Sequence, residues 1–148
     1  MSARSLGFAS LTAGILCLPA PCAQAQISDE TVRIGVLADM SGLYSDLSGI
    51  GSVVAARMAA EDFGGTVLGK KIEIVSADHQ NKPDIGSNIA REWIERQGVD
   101  AIVDVPVSSI AFAVQQIAKD KNRVLLISSS GSSDLTKILL SNQRALDL

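Results

Sequence analysis

Serine hydroxyls are concentrated in two short segments of the second half of the chain. The first segment contains Ser108 and Ser109, and the second runs from Ser128 to Ser133 with one glycine, Gly131, inside it. Hydroxyl groups and the free backbone N–H groups at a helix N-terminus are suited to hold a carboxylate or another small anion. A single serine more often caps a helix or makes a turn. Two clusters on one edge of a fold instead favour an anion-binding site.

Groups that could break covalent bonds are scarce. The single histidine, His79, stands in a polar loop segment where a solvated role is expected. The sequence contains no Gly-x-Ser-x-Gly pattern, and no Ser-His-acid set can be assembled around this histidine. His and Cys residues do not occur at the spacing of a transition-metal site, and Asp78 and Asp84 are scattered carboxylates for which solvated positions are expected. The sequence therefore predicts no enzyme activity, no metal and no cofactor.

One segment leaves a nucleotide-dependent enzyme open as an alternative. Gly49-Ile50-Gly51 follows a predicted strand and opens a predicted helix, and Asp78 ends the next strand. A dinucleotide-binding turn has a third glycine, where this chain has Val54, and that turn is tight, whereas residues 39–48 intervene here. The two glycines alone therefore give this alternative little support.

Short β-rich runs alternate along the chain with segments of helical periodicity, and these elements must position the serines. The predicted strands cover residues 32–38, 72–77, 101–105 and 124–127, and the predicted helices cover 51–63, 83–94 and 108–118. This β-α-β-α-β-α-β order with short links predicts an α/β fold with a doubly wound sheet of four parallel strands. Ligands of such sheets bind beyond the carboxyl ends of the strands, where the serine segments fall. We expect Ser108 or Ser109 to cap the third helix.

Helical and strand spacing also predicts which residues are buried. Val54 and Met58 mark the inner face of the first helix, and Trp93 lies in the buried stripe of the second. The run at 124–127 is apolar throughout, as expected for a strand with both faces covered. These residues should therefore belong to a core on each side of the sheet.

The first 25 residues have the organisation of a cleaved signal peptide. An uncharged apolar run over residues 6–18 is followed by Ala23-Gln24-Ala25, the small-x-small pattern before an expected cleavage at Gln26. A transmembrane anchor is the alternative, but a span takes about 20 apolar residues. Both cysteines, Cys17 and Cys22, lie in this segment, so no disulfide is expected in the exported chain. The formal net charge of -3 gives no basic surface for nucleic acid.

Several groups of residues, taken in order, resemble one family. They are Ile34-Gly-Val-Leu-Ala-Asp-Met-Ser-Gly42, Gly49-x-Gly51, Ala59-Ala-Glu-Asp-Phe-Gly-Gly65, Leu68-Gly-Lys-Lys-Ile72, Val105-Pro-Val-Ser-Ser109 and Ile127-Ser-Ser-Ser-Gly-Ser-Ser-Asp-Leu-Thr136. Over residues 30–136 the chain resembles the periplasmic binding proteins of the branched-chain amino acid (Leu/Ile/Val-binding) type, the receptors of ABC importers. The resemblance implies a type I periplasmic binding protein fold and a periplasmic location. It also implies capture of a small amino acid, amide or organic acid, including aromatic acids, and delivery to a permease and its ATPase without catalysis.

The resemblance also assigns ligand-binding residues. The serine after the third predicted strand corresponds to Ser108, with Ser109 beside it, and the hydroxyl residues after the fourth strand correspond to Ser130 and Ser132. In the family these loops hold the carboxylate and amino group of the ligand. Tyr44, after the first strand, would form a wall of the pocket. The identity of the ligand stays open, and an exported ligand sensor on the same fold is an alternative function.

The resemblance divides the chain into a signal peptide at 1–25, an amino-terminal ligand-binding lobe at 26–136 and a divergent tail at 137–148. Members of the family are more than twice as long, and a second lobe completes their pocket. A truncated or frameshifted gene would produce such a tail, and a short homologue with a terminal helix is the alternative. We expect a single lobe to bind its ligand weakly or not at all, because closure of two lobes turns weak contacts into tight capture.

Overall fold

A computed structural model describes residues 30–135 of the chain. The strands are β1 Thr31–Ala38, β2 Thr66–Val67, β3 Lys70–Asp78, β4 Val99–Asp104 and β5 Val124–Ile127, and the helices are α1 Gly49–Asp62, α2 Pro83–Arg96 and α3 Ser108–Asp120. The predicted signal peptide at 1–25 and the predicted tail at 137–148 lie outside the described residues. Within the described range, no helix combines the length and apolar character needed to cross a membrane.

The strands form one mostly parallel sheet in the order β2-β3-β1-β4-β5. The central strand β1 pairs in parallel with β3 and with β4, and β4 pairs in parallel with β5. The prediction of an α/β fold with a doubly wound parallel sheet is therefore confirmed. The four predicted strands correspond to the parallel strands β1, β3, β4 and β5, and the sheet formed by residues 30–135 contains a fifth strand that was not predicted.

The additional strand is β2, a two-residue strand that pairs antiparallel with β3. Leu68 and Gly69 connect the two strands, with φ angles of 52° and 77°. Two central residues at positive φ are typical of the type I′ turn that joins hairpin strands. A strand of this length has no hydrophobic periodicity, so only the turn could have indicated it.

The larger part of the core lies between the sheet and the helices α2 and α3. Leu37, Trp93, Ile102, Ile110 and Val114 are all buried there, and the prediction that Trp93 belongs to the core is confirmed. The indole ring lies directly over the central strand: a Cβ atom at position 35, where β1 has glycine, would stand 2.4 Å from ring atom Cζ3. The absence of a side chain at position 35 is therefore what allows this close approach of helix to sheet.

The opposite face of the sheet carries a smaller core beneath α1. Val36, Ala38 and Val53 are buried there. The prediction for α1 was wrong, because Val54 and Met58 are exposed, with 49% and 57% of their surface accessible. Apolar residues occur on most sides of this helix, so its spacing alone did not single out the side that packs on β1 and β3.

Within residues 30–135, the edge strand β5 is covered on one face only. Leu125 and Ile127 pack against the core beneath α2 and α3, whereas Val124 and Leu126 are 54% and 60% exposed. The prediction that both faces are covered was therefore wrong. Helix α1 packs on β1 and β3, which leaves the outer face of β5 uncovered by α1.

Candidate functional site

The carboxyl ends of β1, β3, β4 and β5 lie at one edge of the sheet because these strands are parallel. An aspartate stands at the end of each of the three inner strands: Asp39 directly after β1, Asp78 as the last residue of β3, and Asp104 as the last residue of β4. Each of these carboxylates accepts hydrogen bonds from the loop that it helps to position. Sequence analysis missed this role, although an aspartate at the end of successive apolar strands was a visible signal.

Asp39 fixes the loop between β1 and α1. This side chain is buried, and its two oxygens accept hydrogen bonds from the backbone N–H groups of Gly42, at 2.8 Å, and Tyr44, at 3.0 Å. The carbonyl of Tyr44 accepts the N–H of Ser48 at 3.1 Å just before α1 begins. The predicted pocket residue Tyr44 is therefore held in a tight turn at the binding edge, with 36% of its surface accessible.

Asp78 ties the start of the same loop to the end of β3. Its carboxylate accepts hydrogen bonds from the N–H of Met40 at 3.0 Å, from the hydroxyl of Ser41, and from the N–H of Gln80 at 2.8 Å. Burial alone would raise the pKa of Asp78, but these hydrogen bonds outweigh burial and lower the pKa. The expected solvated role is therefore wrong for this residue.

Asp104 joins the end of β4 to the serine-rich segment after β5. Its Oδ1 accepts the hydroxyls of both Ser128 and Ser129 at 2.8 Å. The hydroxyl of Ser130 in turn donates to the carbonyl of Val105 at 2.7 Å. Asp104 and Val105 have φ angles of 78° and 51°, a left-handed conformation that non-glycine residues rarely adopt. The serine-rich segment after β5 is therefore hydrogen-bonded to the end of β4.

Ser108 and Ser109 form the first turn of α3, and Ser108 is half-buried whereas Ser109 is exposed. The cap position belongs to Val107, whose carbonyl accepts the N–H groups of Ile110 and Ala111, so the expected capping by a serine is wrong. The first N–H groups of a helix have no partner within that helix, and the helix dipole favours a negative charge there. This turn can therefore receive a carboxylate.

Of the predicted site residues, Ser108 and Ser109 follow β4, and Ser130 follows β5. Hydrogen bonds connect the ends of these two adjacent strands. Ser132 lies after the neighbouring strand β5, where its Oγ accepts the N–H of Asp134 at 3.3 Å and its carbonyl accepts the N–H of Leu135 at 3.3 Å. Tyr44 follows β1, the strand on the other side of β4. The five residues thus share one edge, in the order Tyr44, the Ser108 pair, then Ser130 and Ser132.

His79 is fully buried, so the expected solvated loop position is wrong. The alternation of Val75 and Ala77, which face the core beneath α2 and α3, continues one residue past the end of β3 and brings His79 to the same face. Its Nδ1 accepts the N–H of Asn81 at 3.1 Å. Burial lowers the pKa of His79, against the opposing effect of nearby carboxylates. The ring is therefore neutral at pH 7.

A second concave surface lies away from this edge, between α2 and α3. This groove has a volume of about 340 Å³, and charged residues line much of it. Lys121 and Glu95 form an ion pair across it at 2.8 Å, and the hydrogen bond from Lys121 lowers the pKa of Glu95. Because these two charges already neutralise each other, the groove is a weaker candidate for anion binding than the serine edge.

The fold places this chain in the doubly wound α/β class, with the serine loops at the carboxyl edge of the sheet. Comparison with protein families gives the same class: residues 31–138 match the family described as periplasmic binding protein. The chain belongs to this family. Among curated proteins, no significant sequence match was found.

Solved structures support the assignment. A periplasmic binding protein from Burkholderia mallei is 46% identical over 72% of this chain, with a TM-score of 0.69. A branched-chain amino acid ABC transporter periplasmic ligand-binding protein from Burkholderia xenovorans is 47% identical over 69% of the chain, with a TM-score of 0.67. A solute-binding protein of an ABC transporter from Rhodopseudomonas palustris, in complex with 3,4-dihydroxybenzoic acid, is 25% identical over 74%, with a TM-score of 0.65. The aligned regions cover 28%, 27% and 30% of those three chains.

The family and these solved relatives are binding proteins, which accords with the prediction that the chain is not an enzyme. The recognition of a branched-chain amino acid-type periplasmic binding protein from the sequence is confirmed. The family name also supports a periplasmic location in general terms.

Proposed function

We propose that residues 26–136 form the amino-terminal half of the binding site of an exported solute receptor for an ABC importer, and that this half-site holds the carboxylate of its ligand. The observation that carries the proposal is the serine edge at the start of α3. There the half-buried Ser108 and the exposed Ser109 stand at a helix N-terminus, next to a loop that Asp104 holds in place.

The names of the relatives support the ligand class. One relative is named for branched-chain amino acids, and another was solved with 3,4-dihydroxybenzoic acid. These molecules share little except a carboxylate and an apolar body. The carboxylate is the part that a helix N-terminus and serine hydroxyls can bind. Exposed apolar residues of the loop after β1, including Leu43 and Leu47, could contact the apolar body.

The proposed ligand is therefore a small amino acid or aromatic acid, with Ser108 and Ser109 at the carboxylate and Ser130, Ser132 and Tyr44 around it. The chain acts as a receptor rather than an enzyme, reaches the periplasm through a signal peptide at 1–25, and serves a permease and its ATPase. Because one lobe contacts one side of a ligand, we expect dissociation constants in the millimolar range for this chain alone.

Thermal unfolding of the full chain tests the proposal. A ligand that binds only the folded state stabilises it according to its concentration over its dissociation constant, by about 2.7 kcal/mol at a hundredfold excess. We expect a rise in Tm with leucine, isoleucine, valine or an aromatic acid, and no rise with the methyl ester of the same compound. Equal effects of acid and ester would contradict the carboxylate site, and a rise with NAD alone would contradict the receptor function.

A pair of serine variants assigns the site. Ser108→Ala should abolish the ligand-dependent rise in Tm. Ser87→Ala is the matched control, because Ser87 lies on α2 and its hydroxyl donates to the carbonyl of Pro83 rather than to the serine loops. The control variant should keep the full response. Loss of the response in both variants, or in neither, would show that Ser108 does not hold the ligand.

A further inference from the structure

Two polar atoms beneath the serine loops are buried without a hydrogen-bond partner among residues 30–135. They are Nε2 of His79 and Oδ2 of Asp104, in residues that are 0% and 7% exposed. His79 directly follows β3 and Asp104 ends β4, and these two strands flank β1. Buried polar groups are almost always paired with protein or with internal water, so each of these atoms calls for a physical explanation.

The two atoms are chemically complementary. Because Nδ1 of His79 accepts the N–H of Asn81, the neutral imidazole carries its proton on Nε2 and can donate there. Oδ2 of Asp104 can only accept, as long as the carboxylate is ionised. Asp39 stands between them in the strand order, but both of its oxygens already accept N–H groups of its own loop.

Direct contact between the two atoms is unfavourable because β1 separates the strands that carry them. Two strand spacings amount to about 10 Å between the backbones of β3 and β4. A single buried water commonly satisfies two to four such polar groups, and it lengthens the reach between a donor and an acceptor. Gly86 of α2 and Ile110 of α3 pack here: a Cβ atom at position 86 would stand 3.5 Å from Cβ of His79 and 2.6 Å from Cγ2 of Ile110.

We propose that His79 and Asp104 are positioning residues of the serine half-site, joined by one internal water that accepts the Nε2 proton of His79 and donates to Oδ2 of Asp104. Asp104 also holds Ser128 and Ser129, and the left-handed backbone of Asp104 and Val105 leads directly into α3. Fixing Oδ2 therefore fixes the segment that presents the first turn of α3. The inference rests on the proposed function for what the site binds, whereas the positioning is a property of the chain without ligand.

The first test uses the fact that His79 is the only histidine of the chain, so that imidazole ¹⁵N signals report on it alone. We expect the Nε2-protonated tautomer, slow exchange of that proton with solvent, and a magnetisation-transfer signal from the proton to a bound water. The Nδ1-protonated tautomer, or an Nε2 proton without contact to water, would overturn the proposal.

The carboxylates that act on His79 are Asp39, Asp78 and Asp104. Asp104→Asn removes one of these charges and should move the titration of His79 to lower pH, and an unchanged titration would contradict the pairing.

The second test asks whether His79 acts on the serine turn. His79→Leu should move the backbone amide resonances of Ser108 and Ser109 and weaken binding of the best carboxylate ligand about tenfold. His79→Gln keeps an N–H donor and should restore both. Asp120→Asn, at the far end of α3, is the control and should leave both unchanged.

Unchanged resonances in His79→Leu would overturn the proposal. If His79→Leu does not fold, the same two measurements on Asp104→Asn take its place, with the same expected direction and the same refuting result.

The proposed carboxylate half-site and the proposed positioning role can be refuted independently. A native-like imidazole signature with no ligand bound by the unmodified chain would refute the carboxylate half-site alone, whereas ligand binding that His79→Leu leaves unchanged would refute the positioning role alone.

Discussion

Replacement of Gly35 by alanine tests whether the close packing of Trp93 on the central strand is required for stability. The added methyl group would stand 2.4 Å and 2.6 Å from two atoms of the indole ring, well inside van der Waals contact. Trp93 is 5% exposed and belongs to the main core, so any movement of the ring disturbs its packed neighbours. The ring, the strand or the helix must therefore shift.

The expected cost is at the upper end of the range for overpacked cores, about 3 kcal/mol. For a domain of this size, a loss of 1 kcal/mol lowers Tm by about 4–8 °C, so the Tm of Gly35→Ala should fall by more than 10 °C. Urea unfolding followed by far-UV circular dichroism gives the free energy directly. The fluorescence of Trp93, the only tryptophan of the chain, reports on the same site.

Gly51→Ala is the matched control, because it is the same chemical change at a position where nothing lies within 4 Å of the new Cβ atom. Gly51 lies in α1, where alanine is favoured over glycine by about 0.5–1 kcal/mol, so this variant should be more stable than the unmodified chain. A Gly35→Ala variant as stable as the unmodified chain would refute the packing argument. Strict additivity of Gly35→Ala and Trp93→Leu would also refute it, since the smaller side chain should relieve the overlap.

Three further changes test other contacts. Asp78→Asn should cost about 1 kcal/mol at pH 7. Because folding lowers the pKa of Asp78, its contribution is present above the pKa of an unfolded aspartate and is lost as pH falls through the lower folded value. Urea unfolding should therefore show a smaller difference between the variant and the unmodified chain at pH 3 than at pH 7. Asp100→Ala should cost about 1–3 kcal/mol at neutral pH, because this half-buried carboxylate accepts the N–H of Arg33 at 3.0 Å and pairs with Arg123 at 3.4 Å; an unchanged urea midpoint would contradict that. Gly86→Ala should lower Tm through its 2.6 Å approach to Ile110, and a rise in Tm would show that the two helices can separate.

The sequence predicted those parts of the fold in which the spacing of apolar residues fits only one strand or one helix face. The four longer strands and the buried stripe of α2 with Trp93 were recognisable from their apolar spacing. The side of α1 that packs on the sheet was not, since Val53 is buried while Val54 and Met58 beside it are exposed. Apolar residues around most of a helix leave the choice of face to tertiary packing.

The candidate site was predicted only in outline. Parallel strands bring their ends together, so the placement of Ser108 and Ser130 on one edge followed from strand order alone. The burial of His79 and Asp104 did not follow from strand order, because His79 comes one residue after β3 and Asp104 is the last residue of β4. A polar residue after a strand is usually solvated. Here the packing of α2 and α3 encloses these two residues instead.

The central position of β1 has a consequence for the order of folding. This strand is the first of the sheet to be synthesised, yet its partners lie far along the chain: Arg33 contacts Glu73, 40 residues away, and Asp100, 67 residues away. Closing such loops costs chain entropy before any contact repays it, and non-local parallel pairing is slow. A nascent chain that has not yet reached β4 therefore lacks one side of its central strand. Pulsed hydrogen exchange should find the local β2–β3 hairpin protected first and β1 protected only together with β4.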